Sequence, residues 1–121
     1  MKILFYITYY PNFGGIEKVT TYLANQFFQE GVDVHILSFR FIEESALNEL
    51  NPGVQLHVVP NHEHFICTEN ETFVYNLFDV HRFDNVIYQD CYSEIHELIH
   101  KLRRIFKFNY IIVEHNAPLC K

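Results

Sequence analysis

Two kinds of apolar pattern alternate along this chain from its N-terminus. Residues 3–7 form a continuous apolar run, which is typical of a strand covered on both faces, as the strands of parallel sheets are. Further strands are predicted at residues 32–39, 54–59, 85–89 and 110–113. Helices are predicted between the strands, running from Ile16 to a cap at Gly31 and over residues 43–50, 71–82 and 93–107.

The apolar stripes of two helices predict which side chains pack on the sheet. In the first helix the residues with helical spacing are Ile16, Val19, Leu23, Ala24 and Phe27. In the last helix they are Ile95, Leu98, Ile99, Leu102 and Ile105.

Strands that alternate with helices predict right-handed crossovers and therefore an α/β fold. We expect a Rossmann-like, doubly wound parallel sheet of about five strands in the order 3-2-1-4-5. A chain of 121 residues has room for one domain with a core. The last predicted strand stops within eight residues of Lys121 with no helix to cover it. We therefore expect a sheet truncated at its C-terminus, the first half of a larger α/β enzyme.

Charge and cysteine usage narrow the class of protein. The formal net charge of −6 argues against a nucleic-acid-binding protein. Cys67, Cys91 and Cys120 are odd in number and share no metal-ligand spacing, which favours a reducing compartment over a disulfide framework. The sequence contains neither a signal-peptide pattern nor an apolar stretch of roughly 20 residues. These features predict a cytoplasmic protein.

A pair of glycines, Gly14 and Gly15, stands between the first strand and the first helix. In doubly wound sheets ligands gather at the carboxyl ends of the strands. Glycines there let the backbone approach a ligand, and a helix start offers unpaired N–H groups to an anion. The segment matches neither the dinucleotide fingerprint nor a P-loop. The alternative interpretation is a tight turn that requires positive φ angles, and the local sequence leaves both open.

The glycine pair also begins a resemblance to a known family. Residues 14–19, Gly-Gly-Ile-Glu-Lys-Val, resemble the start of family 4 glycosyltransferases, which are retaining enzymes of the two-Rossmann-domain GT-B fold. The similarity continues at Leu23-Ala24, at residues 31–34 and at the Phe-Asp-Asn-Val-Ile segment 83–87. It ends at residues 111–116, Ile-Ile-Val-Glu-His-Asn, so that it spans the chain in order.

The resemblance implies an enzyme that transfers a sugar from a nucleotide-sugar donor to a hydroxyl of a sugar or lipid-linked acceptor, with retention of configuration. Such enzymes serve cell-surface polysaccharide or glycolipid synthesis. The chain would be the acceptor-side domain, inactive until joined in cis by a C-terminal domain that carries a Glu-x7-Glu signature and binds the nucleotide-sugar. No cofactor or metal is implied, because helix N-termini and basic side chains stabilise the leaving diphosphate.

The resemblance also implies site residues. Gly14 and Gly15, with Asn12 in the same loop, would face the substrates. His115 would be the catalytic residue near the donor sugar, with Asn116 beside it. The chain departs from the family after its fourth strand, where it has Gln89 and Asp90 in place of a frequent histidine.

A competing hypothesis is a zinc-dependent hydrolase. His96, Glu97 and His100 satisfy the His-Glu-x-x-His pattern, in which two histidines one helical turn apart bind zinc and the glutamate activates a water. The same residues also fit a plain surface helix, since Glu97 and Lys101 form a favourable pair. Glu114 and His115 are the downstream candidates for a third ligand. A non-catalytic flavodoxin-like binding module is a further alternative.

Two other segments carry candidate chemistry. His62, Glu63 and His64 with Cys67 form a loop that could bind a metal or be a solvated polar loop. A basic segment at the end of the last helix, beside Phe106 and Phe108, could dock on anionic headgroups at the inner face of a membrane or merely complement the helix dipole. Its cations are Lys101, Arg103, Arg104 and Lys107.

Overall fold

The computed structural model describes residues 1–89 and 93–113, with the side chains of residues 93 and 94 left out. Five strands are present: β1 (Lys2–Tyr9), β2 (Asp33–Arg40), β3 (Gln55–Val58), β4 (Asn85–Tyr88) and β5 (Asn109–Ile112). The helices are α1 (Gly15–Gln29), α2 (Thr68–His81), α3 (Ser93–Arg103) and a 3₁₀ helix over Glu44–Glu49.

The strands form one parallel sheet in the order β3-β2-β1-β4-β5, so the predicted fold class and strand order are confirmed. β1 lies in the middle, with Ile3 opposite Val34 of β2 on one side and Asn85 of β4 on the other. β3 extends the sheet beyond β2, and β5 extends it beyond β4.

Helices cover both faces of the sheet, as the continuous apolar runs predict. On one face, Ile3, Phe5 and Ile7 of β1 form a cluster with Ala24 of α1. On the other face, Leu4 and Tyr6 pack with apolar residues of α2 and α3. Tyr6 also donates a hydrogen bond of 2.6 Å from its hydroxyl to the carbonyl of Ile95, which ties the central strand to α3.

The buried face of α1 differs from the predicted stripe at one position. Val19 is 42% exposed, whereas Thr20 and Thr21 are buried. Both hydroxyls have partners inside the fold: Thr20 donates to the carbonyl of Ile16 at 2.9 Å, and Thr21 pairs with the Tyr10 hydroxyl at 2.5 Å. Paired hydroxyls can be buried at little cost, so the inward face is rotated toward the threonines.

The end of α3 corrects the second stripe. Ile95, Leu98, Ile99 and Leu102 are buried as predicted, but Ile105 is 56% exposed and Phe106 is 7% exposed. The helix ends at Arg103 rather than at residue 107. Helical spacing no longer applies beyond that point, and the turn that follows directs Phe106 inward.

No helix in residues 1–89 or 93–113 has the length and apolar content needed to cross a membrane.

Candidate functional site

The carboxyl edge of the sheet is formed by the ends of the parallel strands. β1 ends at Tyr9, β2 at Arg40, β3 at Val58 and β4 at Tyr88. Residues 10–14 and 59–67 are the loops that leave β1 and β3 for α1 and α2. Doubly wound sheets bind their ligands at this edge, so these loops contain the candidate site.

The backbone at Gly14 and Gly15 overturns the tight-turn interpretation. Gly14 caps α1 in an extended conformation, with φ −66° and ψ 168°, and Gly15 does not have a positive φ either. A Cβ on Gly15 would meet no atom within 4 Å, so this position borders open space. A Cβ on Gly14 would collide with the carboxylate of Glu17, a buried side chain in the first turn of α1.

The loop before Gly14 is fixed by hydrogen bonds to its neighbours. The amide of Tyr10 donates to the carbonyl of Arg40 at 3.0 Å and to the hydroxyl of Ser38 at 3.1 Å. The amide of Glu43 donates to the carbonyl of Pro11 at 2.9 Å. Burial raises the pKa of the Tyr10 hydroxyl above its ordinary value, so this group stays a neutral partner of Thr21. The glycine turn therefore starts from a held position.

Asn12 has a role inside the loop. Its side-chain carbonyl accepts a hydrogen bond of 2.9 Å from the main-chain amide of the next residue, Phe13, which orients the side chain along the loop. The predicted substrate-binding asparagine thus shapes the approach to Gly14 and Gly15.

A cleft of about 470 Å³ opens at the carboxyl ends of β1 and β2. Its walls are Tyr9 and Arg40 at the ends of β1 and β2, together with residues 62–66 of the loop after β3. Arg40 is exposed and makes no ion pair with the described residues. Arg40 has no predicted role, because the second strand is predicted to end at Phe39. A lone cation next to a predicted carboxyl end was the signal that could have identified it.

The cleft loop is organised by a single buried side chain, Asn70, in the first turn of α2. Its amide nitrogen donates to the carbonyls of Asn61, His64 and Phe65 at 2.8, 3.1 and 2.9 Å. Its carbonyl accepts from the amide of Asn61 at 2.9 Å. Four hydrogen bonds to the main chain make Asn70 the internal support of this loop.

The predicted metal cluster in the same loop does not form among the described residues. His62, Glu63 and His64 line the cleft, but the metal-competent grouping found in residues 1–89 and 93–113 consists of other side chains. Asn61 accepts hydrogen bonds from the amides of Glu63 and His64. The loop is therefore a polar wall of the cleft.

The His-Glu-x-x-His segment brings its two histidines together without a third ligand from the described residues. The Nε2 atoms of His96 and His100 are 2.7 Å apart, and the Tyr110 hydroxyl lies 3.2 Å from Nδ1 of His96. Burial and the neighbouring His100 lower the pKa of His96, and burial raises that of Tyr110. Glu114 and His115, the predicted third ligands, lie outside the described residues.

The basic segment is only partly available for contact. Lys101 donates to Glu71 of α2 at 3.1 Å instead of pairing with Glu97 as predicted. The Arg103 guanidinium lies over the Tyr110 ring, 5.3 Å from its centroid. Phe106 is buried, and Phe108 packs on Phe78 with ring centroids 5.4 Å apart. The two phenylalanines therefore cannot serve as the exposed apolar part of a membrane contact.

Arg104, Ile105 and Lys107 are exposed and take no part in these contacts. Membrane contact through this smaller surface stays a prediction.

The proposed reaction-centre residues fall outside the described part of the chain. These residues are His115 and Asn116. Asp90, which follows Gln89 in the sequence, also lies outside the described residues. Gln89 occupies the sequence position at which the resembled family often has a histidine. It is buried directly after β4, and its main-chain amide donates a hydrogen bond of 3.2 Å to the carbonyl of Tyr6.

No protein-family model matches this sequence, and no curated protein does either. Function has to be inferred from the residues at the carboxyl edge.

Replacing Asn70 tests whether it supports the cleft loop. Asn70→Ala removes four hydrogen bonds to buried or turn main-chain groups, so we expect the free energy of unfolding to fall by about 2–3 kcal/mol and amide exchange in residues 61–65 to accelerate. Asn76→Ala is the matched control, because Asn76 is exposed on the same helix. Chemical denaturation and hydrogen exchange measure both quantities. Equal behaviour of the two variants would mean that the loop does not depend on Asn70.

Proposed function

We propose that this chain is the acceptor-side domain of a retaining glycosyltransferase, which transfers a sugar from a nucleotide-sugar to a hydroxyl. The observation that carries the proposal is Gly15. It starts α1 at the carboxyl edge of a 3-2-1-4-5 parallel sheet, with open space where a side chain would be. That is the property the resemblance requires of the second glycine in its Gly-Gly-Ile-Glu-Lys segment.

The electrostatics of the α1 N-terminus favour an acceptor over a diphosphate at this position. The unpaired N–H groups of a helix start attract negative charge, and Gly14 provides no side-chain cap. The carboxylate of Glu17, however, already occupies the first turn and partly offsets that field. Main-chain donors next to a carboxylate suit neutral hydroxyls, which both donate and accept hydrogen bonds.

Arg40 supplies a cation for any anionic group of the substrate. Arg40 lines a cleft of about 470 Å³, and this volume is in the range of small-molecule sites. An arginine without an ion-pair partner binds a phosphate through two parallel N–H donors. We infer that the cleft receives the phosphate of a lipid-linked acceptor or the anionic part of a sugar.

The remaining parts of the proposal come from the resemblance. His115 follows β5 by three residues, and the backbone pairing of the sheet extends to Val113, whose amide donates to the carbonyl of Tyr88 at 3.0 Å. His115 would work at the same edge as Gly15, with Asn116 beside it. A second Rossmann-like domain in cis would hold the nucleotide-sugar.

The zinc hydrolase gains no support as a second candidate. The described residues contribute no third ligand to its two histidines, His96 and His100. A flavodoxin-like binding module shares this fold, and the presence or absence of transfer activity separates it from a transferase.

A pair of glycine substitutions in the full-length enzyme tests the proposal. Gly15→Val adds a side chain to open space in an ordinary helical start, so we expect an almost unchanged melting temperature and a transfer rate reduced at least about tenfold. Gly31→Ala is the matched control. Its φ of +89° makes any side chain strained, at a cost of about 1 kcal/mol, and it lies at the opposite end of α1. This variant should lose stability and keep its transfer rate when folded.

His115→Ala completes the same test. We expect turnover to fall with little change in melting temperature. A folded Gly15→Val or His115→Ala enzyme with full transfer activity would contradict the proposed site, and a full-length protein without any transfer activity would favour the binding module.

The basic segment gives a separate prediction about membrane contact. The chain should co-sediment with vesicles that contain anionic phospholipid at low salt and be released as salt rises, because such attraction is screened over about 10 Å at 0.1 M. Arg104→Glu with Lys107→Glu should abolish binding, whereas Lys18→Glu, an exposed charge on α1, should retain most of it. The prediction would be contradicted if the chain did not bind the vesicles at low salt, or if both variants lost binding equally. The cations would then only complement the dipole at the end of α3.

A further inference from the structure

Three histidines that are far apart in sequence meet on the face of the sheet that α2 covers. His35 belongs to β2, His57 to β3, and His81 is the last residue of α2. In the sheet register His57 lies opposite Leu37, two residues after His35, so both histidines share one face. One ring nitrogen from each of the three lies within 4.8 Å of the others.

The contacts within this group, the histidine triad, are those of converging ligands. Nδ1 of His35 and Nε2 of His57 are 2.9 Å apart. The ring centroid of His81 lies 4.5 Å from that of His35 and 5.6 Å from that of His57. Phe83 packs edge-on against His35 at 5.1 Å, which gives the group an apolar wall.

His35 is fully buried, and its Nε2 atom has no hydrogen-bond partner. That nitrogen lies 3.1 Å from a carboxylate oxygen of Asp33, close enough for an ion-pair contact but without the angles of a hydrogen bond. An unpaired Nε2–H would be costly in this buried position, so the carboxylate of Asp33 favours the tautomer in which Nε2 carries the proton and the lone pair of Nδ1 faces His57.

The electrostatic environment favours the neutral form of two of the three histidines, His35 and His57. Burial, with the neighbouring His35 and His81, lowers the pKa of His57 to about 4, and burial lowers that of His35. Both rings are therefore neutral at pH 7, with a lone pair on each, which is the form of imidazole that coordinates a metal.

A metal ion between the rings satisfies all of these atoms together. Zinc bonds imidazole nitrogen at about 2.0–2.1 Å in a tetrahedral arrangement, which separates its ligand nitrogens by about 3.3 Å. The His35 and His57 nitrogens are 2.9 Å apart, and all three ligand nitrogens lie within 4.8 Å of one another, so small side-chain rotations bring them to that spacing. A metal on Nδ1 of His35 would leave the proton on Nε2, facing Asp33. This is the carboxylate–histidine–metal arrangement of many zinc sites.

We propose that His35, His57 and His81 bind a divalent transition-metal ion, zinc in the first instance, with Asp33 orienting His35 and water in the fourth position. His57 and His81 are partly exposed, which gives the ion a path to the site. The ion links β2, β3 and α2. His35 lies five residues before Arg40, about 16 Å along the strand, so the metal acts on the stability of the domain and not on the chemistry at the cleft.

Zinc titration of the metal-free protein at pH 7.5 tests the proposal. Protein stripped by chelator should take up one equivalent of zinc, measured by calorimetry and by elemental analysis after gel filtration, and its melting temperature should rise as binding stabilises the folded state. Cobalt in place of zinc should give the strong visible absorption of a tetrahedral site.

Variants assign the ion to its ligands. His57→Gln and His81→Gln should each weaken zinc binding by at least about a hundredfold, and Asp33→Asn, on an exposed carboxylate, by about tenfold. Two matched controls, His96→Gln with His100→Gln and His62→Gln with His64→Gln, should keep the wild-type affinity. Circular dichroism of the metal-free variants checks that each is folded. If a histidine variant does not fold, the loss of zinc affinity in Asp33→Asn tests the site in its place.

Three results would overturn the site: no stoichiometric zinc in the wild type, zinc that persists in both His57→Gln and His81→Gln, or zinc that is lost in either control. None of them bears on the transferase proposal, which depends on Gly15 and Arg40 at the carboxyl edge of the sheet.

Discussion

The burial of β1 on both of its faces is the constraint on which the rest of the structure depends. Residues 3–8 are buried between α1 on one side and α2 with α3 on the other. A strand in this position cannot direct reactive groups to water from its middle, so polar chemistry gathers at the ends of the sheet. The glycine turn and Arg40 follow this rule at the carboxyl edge, whereas the histidine triad lies on the face of the sheet that α2 covers.

The carboxyl edge combines a fixed frame with an open surface. Main-chain hydrogen bonds hold the turn at Tyr10 and Pro11, and Asn70 holds the cleft loop from inside. Against this frame Gly15 leaves free space, and Arg40 carries a charge that forms no ion pair with any residue the structure describes. A site that binds sugar hydroxyls and a phosphate needs rigid donors and a cation in such an arrangement, because ordering them on binding would reduce affinity.

The sequence predicted the fold because its signals are local, and it missed features that tertiary contacts create. The continuous apolar run of β1 and the alternation of strands with helices were sufficient for the sheet order. Val19 and Ile105 were assigned inward because apolar spacing ignores paired threonine hydroxyls and assumes that a helix continues. The histidine triad was invisible because its members are brought together by strand register, not by a motif. At the site, the glycine pair between the first strand and the first helix was enough to identify Gly15. Arg40 was identified only from its place in the wall of the cleft.

Amide chemical shifts of the isotopically labelled chain provide the most direct measurement of the central claim, which is that ligands bind at the carboxyl edge around Gly15. The chain would be titrated with sugars and with sugar phosphates, which represent the proposed acceptor, at millimolar concentration. The account predicts shifts confined to residues 12–17, Arg40 and residues 61–66, with the amides around His35 and Gly31 unchanged. Shifts that avoid the carboxyl edge, or an unchanged spectrum with every ligand, would contradict it.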